Sequence, residues 1–251
     1  MKIQYCSDLH LEFPENKKYL SNNPIKPVGE VLLLAGDVVP FAVMDHHESF
    51  FDFVSDHFQT VYWLPGNHEY YHSDLADRCG LLNEKIRSNV WLVNNVVVNQ
   101  RGFRFIFSSL WTMISLANRF SIQQSMSDFR VIRFNGRPFT PNDYNEQHES
   151  CLDFLKTELS QKIENTIVVS HHVPTFLNYP PQFKGDILNE AFAVELFDWI
   201  EPSGVNYWIY GHHHQPIPEF LIGNTKLLTN QLGYVRNKEH LGFKADAVIE
   251  L

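Results

Sequence analysis

The sequence predicts an α/β fold built from two mixed β-sheets, and two observations support this prediction. First, short β-branched or apolar runs end at Gly, Pro, Asp or Ser, which is typical of buried strands, and segments of helical period lie between them. Second, the strand-like runs of the later part of the chain are not all separated by helices, so one parallel sheet does not account for them.

Nine runs have the character of strands. They are Ile3–Cys6, Val31–Ala35, Thr60–Leu64, Phe103–Ser108, Thr166–Val169, Tyr207–Tyr210, Glu219–Ile222, Lys226–Thr229 and Ala247–Leu251. Four segments have a helical pattern of bulky residues, and the third begins with Thr140 as N-cap and Pro141 in the first helical position. They are Glu48–Phe58, Asp74–Ile86, Pro141–Leu159 and Asn189–Ile200.

No repeat, low-complexity tract or linker divides the chain, so we predict a single domain over residues 1–251. The least regular part is Trp111–Arg137, which is rich in Ser, Arg and aromatic residues. A long irregular segment in a compact domain is usually a lid or a substrate loop. We therefore expect this segment to lie over a functional site.

Composition narrows the classes of protein that fit. Lys and Arg number 20 against 29 Asp and Glu, which gives a formal charge of −9 and disfavours a general nucleic-acid binder. The three cysteines cannot all pair, which favours a reducing compartment, and we expect a cytoplasmic protein. No apolar stretch approaches the length of a membrane span, and the first residues do not resemble a secretory signal.

Residues of the types that bind metals follow five of the predicted strands. Ligands of α/β proteins bind beyond the carboxyl ends of the strands, so we expect these residues to meet at one edge. Carboxylate oxygens and imidazole nitrogens together suit Mn, Fe, Zn or a mixed pair of divalent ions. The motifs are Asp8-Leu9-His10, Gly36-Asp37, Gly66-Asn67-His68-Glu69, His171-His172 and Gly211-His212-His213-His214. In extended backbone, residues two apart such as Asp8 and His10 point to the same side.

One competing motif overlaps this set. Residues His68 to His72 match H-E-x-x-H, in which two histidines on one helix face bind zinc and the glutamate is the general base of a protease. Pro65-Gly66 immediately before the match disfavours a helix there, and the protease reading leaves the other four motifs without a role. The zinc protease is therefore a remote alternative.

The five motifs, in this order, resemble the signature of the calcineurin-like metallophosphoesterase superfamily: D-x-H, G-D, G-N-H-[DE], a single His, and G-H-x-H. The segment Asn230–Tyr234 also resembles an Asn-x-x-Gly-Tyr segment of many bacterial and phage members. The resemblance implies a four-layer α/β/β/α sandwich of two mixed sheets flanked by helices. It also implies two metal ions that share a hydroxide, which attacks a phosphoester.

The resemblance implies a role for each motif residue. Asp8, His10 and His214 would hold one metal, and Asn67, His171 and His212 the other. Asp37 would bridge the two ions, since a carboxylate has two acceptor oxygens. His68 would contact the substrate, together with Asn67, as a general acid or an electrostatic stabiliser.

Departures from the family narrow the substrate. Protein phosphatases of the superfamily carry arginines after G-D and before G-N-H, where this chain has Val38-Val39-Pro40-Phe41 and Pro65. We therefore expect a small-molecule phosphodiester or phosphomonoester. We also expect Arg130 or Arg133 of the irregular segment, with aromatic residues such as Trp111 and Phe129, to contact it; the alternative is that these arginines are solvated loop residues. The alternative is a catalytically silent binding or scaffold module with the same fold.

Overall fold

The computed structural model describes all 251 residues, and its 14 strands form two six-stranded sheets and one short hairpin. In chain order the strands are β1 (Lys2–Cys6), β2 (Val31–Ala35), β3 (Thr60–Leu64), β4 (Leu82–Lys85), β5 (Val90–Asn94), β6 (Val96–Gln100), β7 (Phe103–Ser108), β8 (Arg133–Phe134), β9 (Arg137–Pro138), β10 (Thr166–Ser170), β11 (Tyr207–Tyr210), β12 (Phe220–Ile222), β13 (Thr225–Thr229) and β14 (Val248–Glu250).

Six α-helices surround the sheets. They are α1 (Pro14–Asn22), α2 (Glu48–His57), α3 (Arg119–Ser125), α4 (Asp128–Val131), α5 (Pro141–Leu159) and α6 (Phe197–Ile200). Seven 3₁₀ helices connect other elements, at Phe41–His47, His68–Tyr70, Leu75–Arg78, Pro181–Phe183, Ile187–Ala191, Val235–Asn237 and Glu239–Gly242. None of the helices is both long enough and apolar enough to cross a membrane.

The two sheets have matching organisation. Sheet I has the order β14-β1-β2-β3-β5-β4, and sheet II has the order β12-β13-β11-β10-β7-β6. Within each sheet the four central strands are parallel, and one antiparallel strand closes each edge. The parallel strands of a sheet therefore release the chain at a common edge, where the predicted metal ligands follow them.

The alternation of side chains along a buried strand builds the layers. In β2, Leu33 and Ala35 point into the core between the sheets, while Leu32 and Leu34 pack outward with Phe51 of α2. On the outside of sheet II, Leu155 and Leu159 of α5 join the strand residues of another core. Helices thus cover the outer face of each sheet, and the predicted four-layer α/β/β/α sandwich with two mixed sheets is confirmed.

Two predicted helices are wrong, because backbone groups in these segments pair elsewhere. In the predicted helix Asp74–Ile86, Asp74 caps only the 3₁₀ helix Leu75–Arg78, and Gly80 then takes a φ of +66° before the edge strand β4. In the predicted helix Asn189–Ile200, Val194 donates to the Val173 carbonyl, and only Phe197–Ile200 is α-helical. Helix α1 and strands β5 and β6 had not been predicted.

The irregular segment Trp111–Arg137 is folded. It contains α3, α4 and most of the β8–β9 hairpin, and it has its own apolar cluster. Trp111 and Phe129 are buried in that cluster with Tyr144 of α5. The segment is anchored by this core, and its residues 125–128 reach the cleft described below.

Helix α5 begins at a capping box, as the Thr140-Pro141 pair predicts. The Thr140 hydroxyl accepts a hydrogen bond from the Asp143 backbone N–H at 3.4 Å, and the Asp143 carboxylate accepts one from the Thr140 N–H at 2.9 Å. Arg137 adds two hydrogen bonds to the same carboxylate. The capping box thereby satisfies the N–H groups of Thr140 and Asp143, and Pro141 has no N–H to satisfy.

We expect Thr140→Ala to lower the free energy of unfolding by about 1 kcal/mol, because the cap is lost. Urea denaturation measures the change. The control is Thr157→Ala in the same helix, where the hydroxyl bonds only the Asp153 carbonyl one turn earlier, and this variant should be unchanged or slightly more stable. Equal stability of Thr140→Ala and Thr157→Ala would contradict the role of the capping box.

Candidate metal centre

Polar side chains from five strand ends meet at the edge where the two sheets come together. Asp8 follows β1, Asp37 follows β2, and Asn67 follows β3 of sheet I. His171 and His212 follow β10 and β11 of sheet II, and all five of these residues are buried. The motif residues therefore meet beyond the carboxyl ends of the parallel strands, as the sequence predicts.

The first group of potential ligands consists of Asp8, His10, Asp37 and His214, whose nearest donor atoms all lie within 4.8 Å of one another. His214 Nε2 is 3.1 Å from Asp8 Oδ1 and 3.0 Å from His10 Nε2. His10 Nε2 is 3.8 Å from Asp37 Oδ2. Two imidazole nitrogens and two carboxylates are a donor set that suits a divalent transition metal.

The second group shares Asp37 with the first and adds His171 and His212. His171 Nε2 lies 3.4 Å from Asp37 Oδ2 and 3.1 Å from His212 Nδ1. The amide oxygen of Asn67 is buried and has no hydrogen-bond partner. A buried polar oxygen without a partner is costly, and coordination of a cation would satisfy it.

In three of the histidines, the ring nitrogen that faces away from the potential metal site makes a hydrogen bond that orients the ring. His10 Nδ1 contacts Glu12 at 3.2 Å, His171 Nδ1 contacts the Ala35 carbonyl at 3.0 Å, and His214 Nδ1 contacts Glu239 at 2.8 Å. Each contact fixes the tautomer and leaves Nε2 free to bind a metal. His212 is reversed, since its Nε2 faces the Ala191 carbonyl at 3.4 Å and its Nδ1 faces His171.

Asp128 orients Asn67 in the same way. Its carboxylate accepts hydrogen bonds from Asn67 Nδ2 and from the Tyr71 hydroxyl, both at 3.0 Å. With the amide nitrogen held there, the amide oxygen points away from Asp128. Asp128 belongs to the segment that was predicted to be a lid, and together with Glu12 and Glu239 it had not been singled out in the sequence.

The charges at this edge favour bound cations. Burial alone lowers a histidine pKa, yet the pKa of His171 is raised to about 9 and that of His214 to about 10. Asp37 raises the first, and Asp8 and Glu239 raise the second. The negative potential of the buried carboxylates therefore exceeds the penalty of burying a positive charge.

Glycines leave room for the ligands. A Cβ on Gly66 would lie 2.2 Å from Asp37 Oδ1 and 2.6 Å from His171 Nε2. A Cβ on Gly36, where φ is +91°, would lie 2.2 Å from His171 Nδ1. Any larger side chain at these two positions would displace the ligands that both groups depend on.

The backbone that carries the ligands is not extended. Asp8, His10, Asp37, His212 and His214 all have φ between +47° and +80°, in the left-handed region. The prediction of extended backbone at Asp8 and His10 is therefore wrong. Their side chains converge all the same. Such conformations cost about 1–3 kcal/mol each and are found mainly where surrounding contacts impose them.

Glu69 is a structural carboxylate rather than the base of a zinc protease. It is fully buried and accepts hydrogen bonds from the N–H groups of Asp37, Val38 and Gly66 and from the Trp63 indole. Burial and the neighbouring Asp37 raise its pKa to about 7. The H-E-x-x-H segment forms only a 3₁₀ turn, His68–Tyr70, so it does not provide the helix that the zinc protease motif requires.

His68 stands beside the two groups. Its ring stacks on Tyr71 at 4.0 Å between centroids, its Nδ1 is 3.1 Å from Glu12, and its Nε2 is 3.3 Å from the Tyr234 hydroxyl. Burial lowers its pKa, but Asp37 and Glu12 outweigh that effect and raise it. His68 is thus held by a contact at each of its ring nitrogens.

A cleft of about 310 Å³ opens over the potential ligands. Asp37, Asn67, His68, His212 and His214 all line it, and none of its lining residues is Lys or Arg.

The two arginines predicted to contact substrate do not line the cleft. Arg130 bonds the Gln124 carbonyl and the Ser127 hydroxyl, and Arg133 bonds the Gly136 carbonyl. Both side chains are exposed and engaged within their own segment. Trp111 and Phe129, predicted beside them, are buried in the segment's core.

Comparison with known proteins places this geometry in a family. The family model for calcineurin-like phosphoesterases matches residues 1–216. The uncharacterized protein L509 of Acanthamoeba polyphaga mimivirus is 29% identical over 275 aligned residues, which cover 99% of this chain and 96% of that protein.

Among solved structures, the fold is similar to that of the Phosphopantetheinyl Hydrolase (PptH) from Mycobacterium tuberculosis. The TM-score is 0.70 at 17% identity, with 99% of this chain and 95% of that chain covered. At this identity the similarity shows the fold alone. The family match extends over all five strand-end motifs, and the chain therefore belongs to the calcineurin-like phosphoesterase family.

Proposed function

We propose that the protein is an active phosphoesterase that uses two divalent metal ions to hydrolyse a phosphodiester or phosphomonoester of a small molecule. The observation that carries the proposal is the pair of ligand groups that share Asp37. A shared carboxylate is how a protein holds two cations at the short separation that a two-metal site requires. The ions would be Mn, Fe, Zn or a mixed pair, since imidazole and carboxylate donors suit all three.

We assign each residue a role in binding the metals or the substrate. Asp8, His10 and His214 would hold one ion, Asn67, His171 and His212 the other, and Asp37 both. The ions supply Lewis acidity and a water of lowered pKa. Asn67 contributes a neutral oxygen, which limits the negative charge near the phosphate. His68, held by Glu12 and Tyr234, would stabilise the phosphoryl oxygens or donate a proton to the leaving alcohol.

The lining of the cleft and the charge of the chain support the proposed substrate class. The cleft has no Lys or Arg in its lining, so the phosphate would be held by the metals rather than by a bidentate arginine clamp. The formal charge of −9 disfavours a nucleic-acid groove. The Mycobacterium tuberculosis protein is a phosphopantetheinyl hydrolase, and a phosphopantetheinyl ester falls within the substrate class that we propose.

The three free cysteines agree with a reducing compartment, so we propose a cytoplasmic location. We also propose that residues 1–251 act as one domain. A catalytically silent scaffold is the alternative function, and the predictions below separate it from the enzyme.

Replacing Asp37 tests the shared ligand. We expect Asp37→Asn to bind at most about one metal ion per chain and to lose more than about 100-fold in turnover of a chromogenic phosphodiester with Mn²⁺, because the charge that both ions share is gone. Metal content is measured by elemental analysis after gel filtration. Asp77→Asn, at an exposed aspartate, is the control and should keep both properties.

Two results would contradict this proposal. Full metal content in Asp37→Asn would contradict the proposal that Asp37 bridges the two ions. Two bound ions in the unmodified protein, with no turnover of any phosphomonoester or phosphodiester, would favour the scaffold.

Replacing His68 separates catalysis from metal binding. We expect His68→Gln to slow turnover by about 10²–10⁴-fold with metal content unchanged, because the residue acts on the substrate and not on the ions. Steady-state kinetics and elemental analysis of the same sample measure the two properties. If the metals were lost instead, the assignment of His68 would be wrong.

Replacing the two arginines tests the substrate contacts predicted from sequence. Because their side chains bond within their own segment, we expect Arg130→Ala/Arg133→Ala to keep kcat/KM within about twofold, as for other surface changes. A loss of tenfold or more at unchanged metal content would establish the predicted contact with substrate.

A further inference from the structure

A second cavity lies next to the metal cleft. It has a volume of about 110 Å³, and we call it the side pocket. Four residues line both cavities: Phe183, Leu188, Phe192 and His213. Because the two cavities share these walls, they adjoin, and the side pocket is next to the space where a phosphate would lie at the metal centre.

The side pocket begins directly beside a metal ligand. The Phe192 ring is 4.4 Å from the His212 ring, centroid to centroid. Tyr179 forms the far wall and stands edge-on to His213 at 6.0 Å and 88°. Phe183, Leu188 and Phe192 are all half-buried, so their faces are available to a ligand.

The walls are held by the chain itself. Asn189 Nδ2 donates to the Phe183 carbonyl at 2.7 Å, and the Leu188 N–H donates to Asp186 Oδ1 at 2.9 Å. These bonds fix the two short 3₁₀ helices that carry Phe183 and Leu188. The pocket is therefore preformed, as small-molecule sites usually are.

The lining of the side pocket contains no Lys or Arg. His213 Nδ1 accepts hydrogen bonds from the Gln215 N–H at 3.0 Å and from Gln231 Nε2 at 3.1 Å, which hold its ring in the wall. The one acidic side chain in the lining is Asp186, which is exposed. An anionic group would be repelled there, and an apolar group would be favoured by burial against aromatic walls.

We propose that the side pocket binds the alcohol arm of the phosphoester substrate, and that it selects an uncharged, mainly apolar arm with the bulk of one ring or a short alkyl chain. An apolar cavity of about 150 Å³ holds one benzene molecule, so 110 Å³ beside the cleft is of a similar order. The inference rests on the proposed function, because it takes the phosphate to lie at the metal centre. It makes Leu188 and Phe183 specificity-determining residues.

Phosphonates test the inference without turnover, because they carry the phosphoryl group but have no ester bond to cleave. The full chain loaded with Mn²⁺ is titrated by calorimetry with methylphosphonate, benzylphosphonate and phosphonoacetate. We expect benzylphosphonate to bind at least about tenfold more tightly than methylphosphonate, because its ring is buried in the side pocket. Phosphonoacetate, which has an anionic arm, should gain nothing over methylphosphonate.

Substitutions in the side pocket test whether it causes the preference for benzylphosphonate. Leu188→Trp fills the pocket and should abolish the preference for benzylphosphonate over methylphosphonate. The ratio of the two affinities is compared, because Leu188 also lines the metal cleft and both ligands share any effect there. If Leu188→Trp does not fold, Phe183→Ala is used instead. It removes a wall of the side pocket and should reduce the preference for benzylphosphonate. Phe120→Ala is the matched control, since Phe120 is 74% exposed and lines neither cavity.

The outcomes separate this inference from the proposed function. Equal affinities for methylphosphonate and benzylphosphonate, or a preference that survives both pocket variants, would contradict the proposed role of the side pocket. This holds even if the protein is an active enzyme. A benzyl preference that Leu188→Trp removes supports the pocket. If that preference occurs in a protein that hydrolyses no phosphoester, the pocket stands and the catalytic proposal fails.

Discussion

The buried carboxylate of Asp37 is the interaction on which the rest of the site depends. Its Oδ2 faces the ring nitrogens of His10 and His171, and its Oδ1 accepts the His68 backbone N–H at 2.9 Å. Burial by itself would raise the pKa of Asp37, yet the surrounding imidazoles hold it well below its ordinary value. A charge at this depth requires compensation, which His171 of sheet II provides at the acidic edge of sheet I.

The close approach of these groups constrains the chain around them. Gly66 is in contact with Asp37 and His171, which leaves no space for a side chain, and the ligand residues themselves take left-handed backbone. Glu69 offsets part of this cost, because one buried carboxylate satisfies N–H groups at the ends of both β2 and β3. The site is thus rigid because several independent hydrogen bonds fix each loop.

The segment Trp111–Arg137 connects the fold to the site and shows where local patterns are insufficient. Its Ser- and Arg-rich composition indicated an irregular lid, whereas its aromatic residues form a core against α5. That core places Asp128 next to Asn67 and leaves Arg130 and Arg133 outside the cleft. Asn67 and Asp128 are 61 residues apart in sequence, so no short sequence pattern predicts their contact. The predicted helices at Asp74–Ile86 and Asn189–Ile200 are wrong because β-pairing took precedence over helical periodicity. Residues 82–85 pair with β5, and Ala193 bridges to Val173.

The sequence by itself determined the α/β class and the gathering of the five strand-end motifs. These follow from local rules, because short apolar runs form buried strands and parallel strands end at a common edge. Only the tertiary structure decided which nitrogen of each histidine faces inward, how Glu12, Asp128 and Glu239 orient the ligands, and that a side pocket opens beside His212. These features depend on contacts between segments far apart in the chain, whose distances and directions are set by packing rather than by residue spacing.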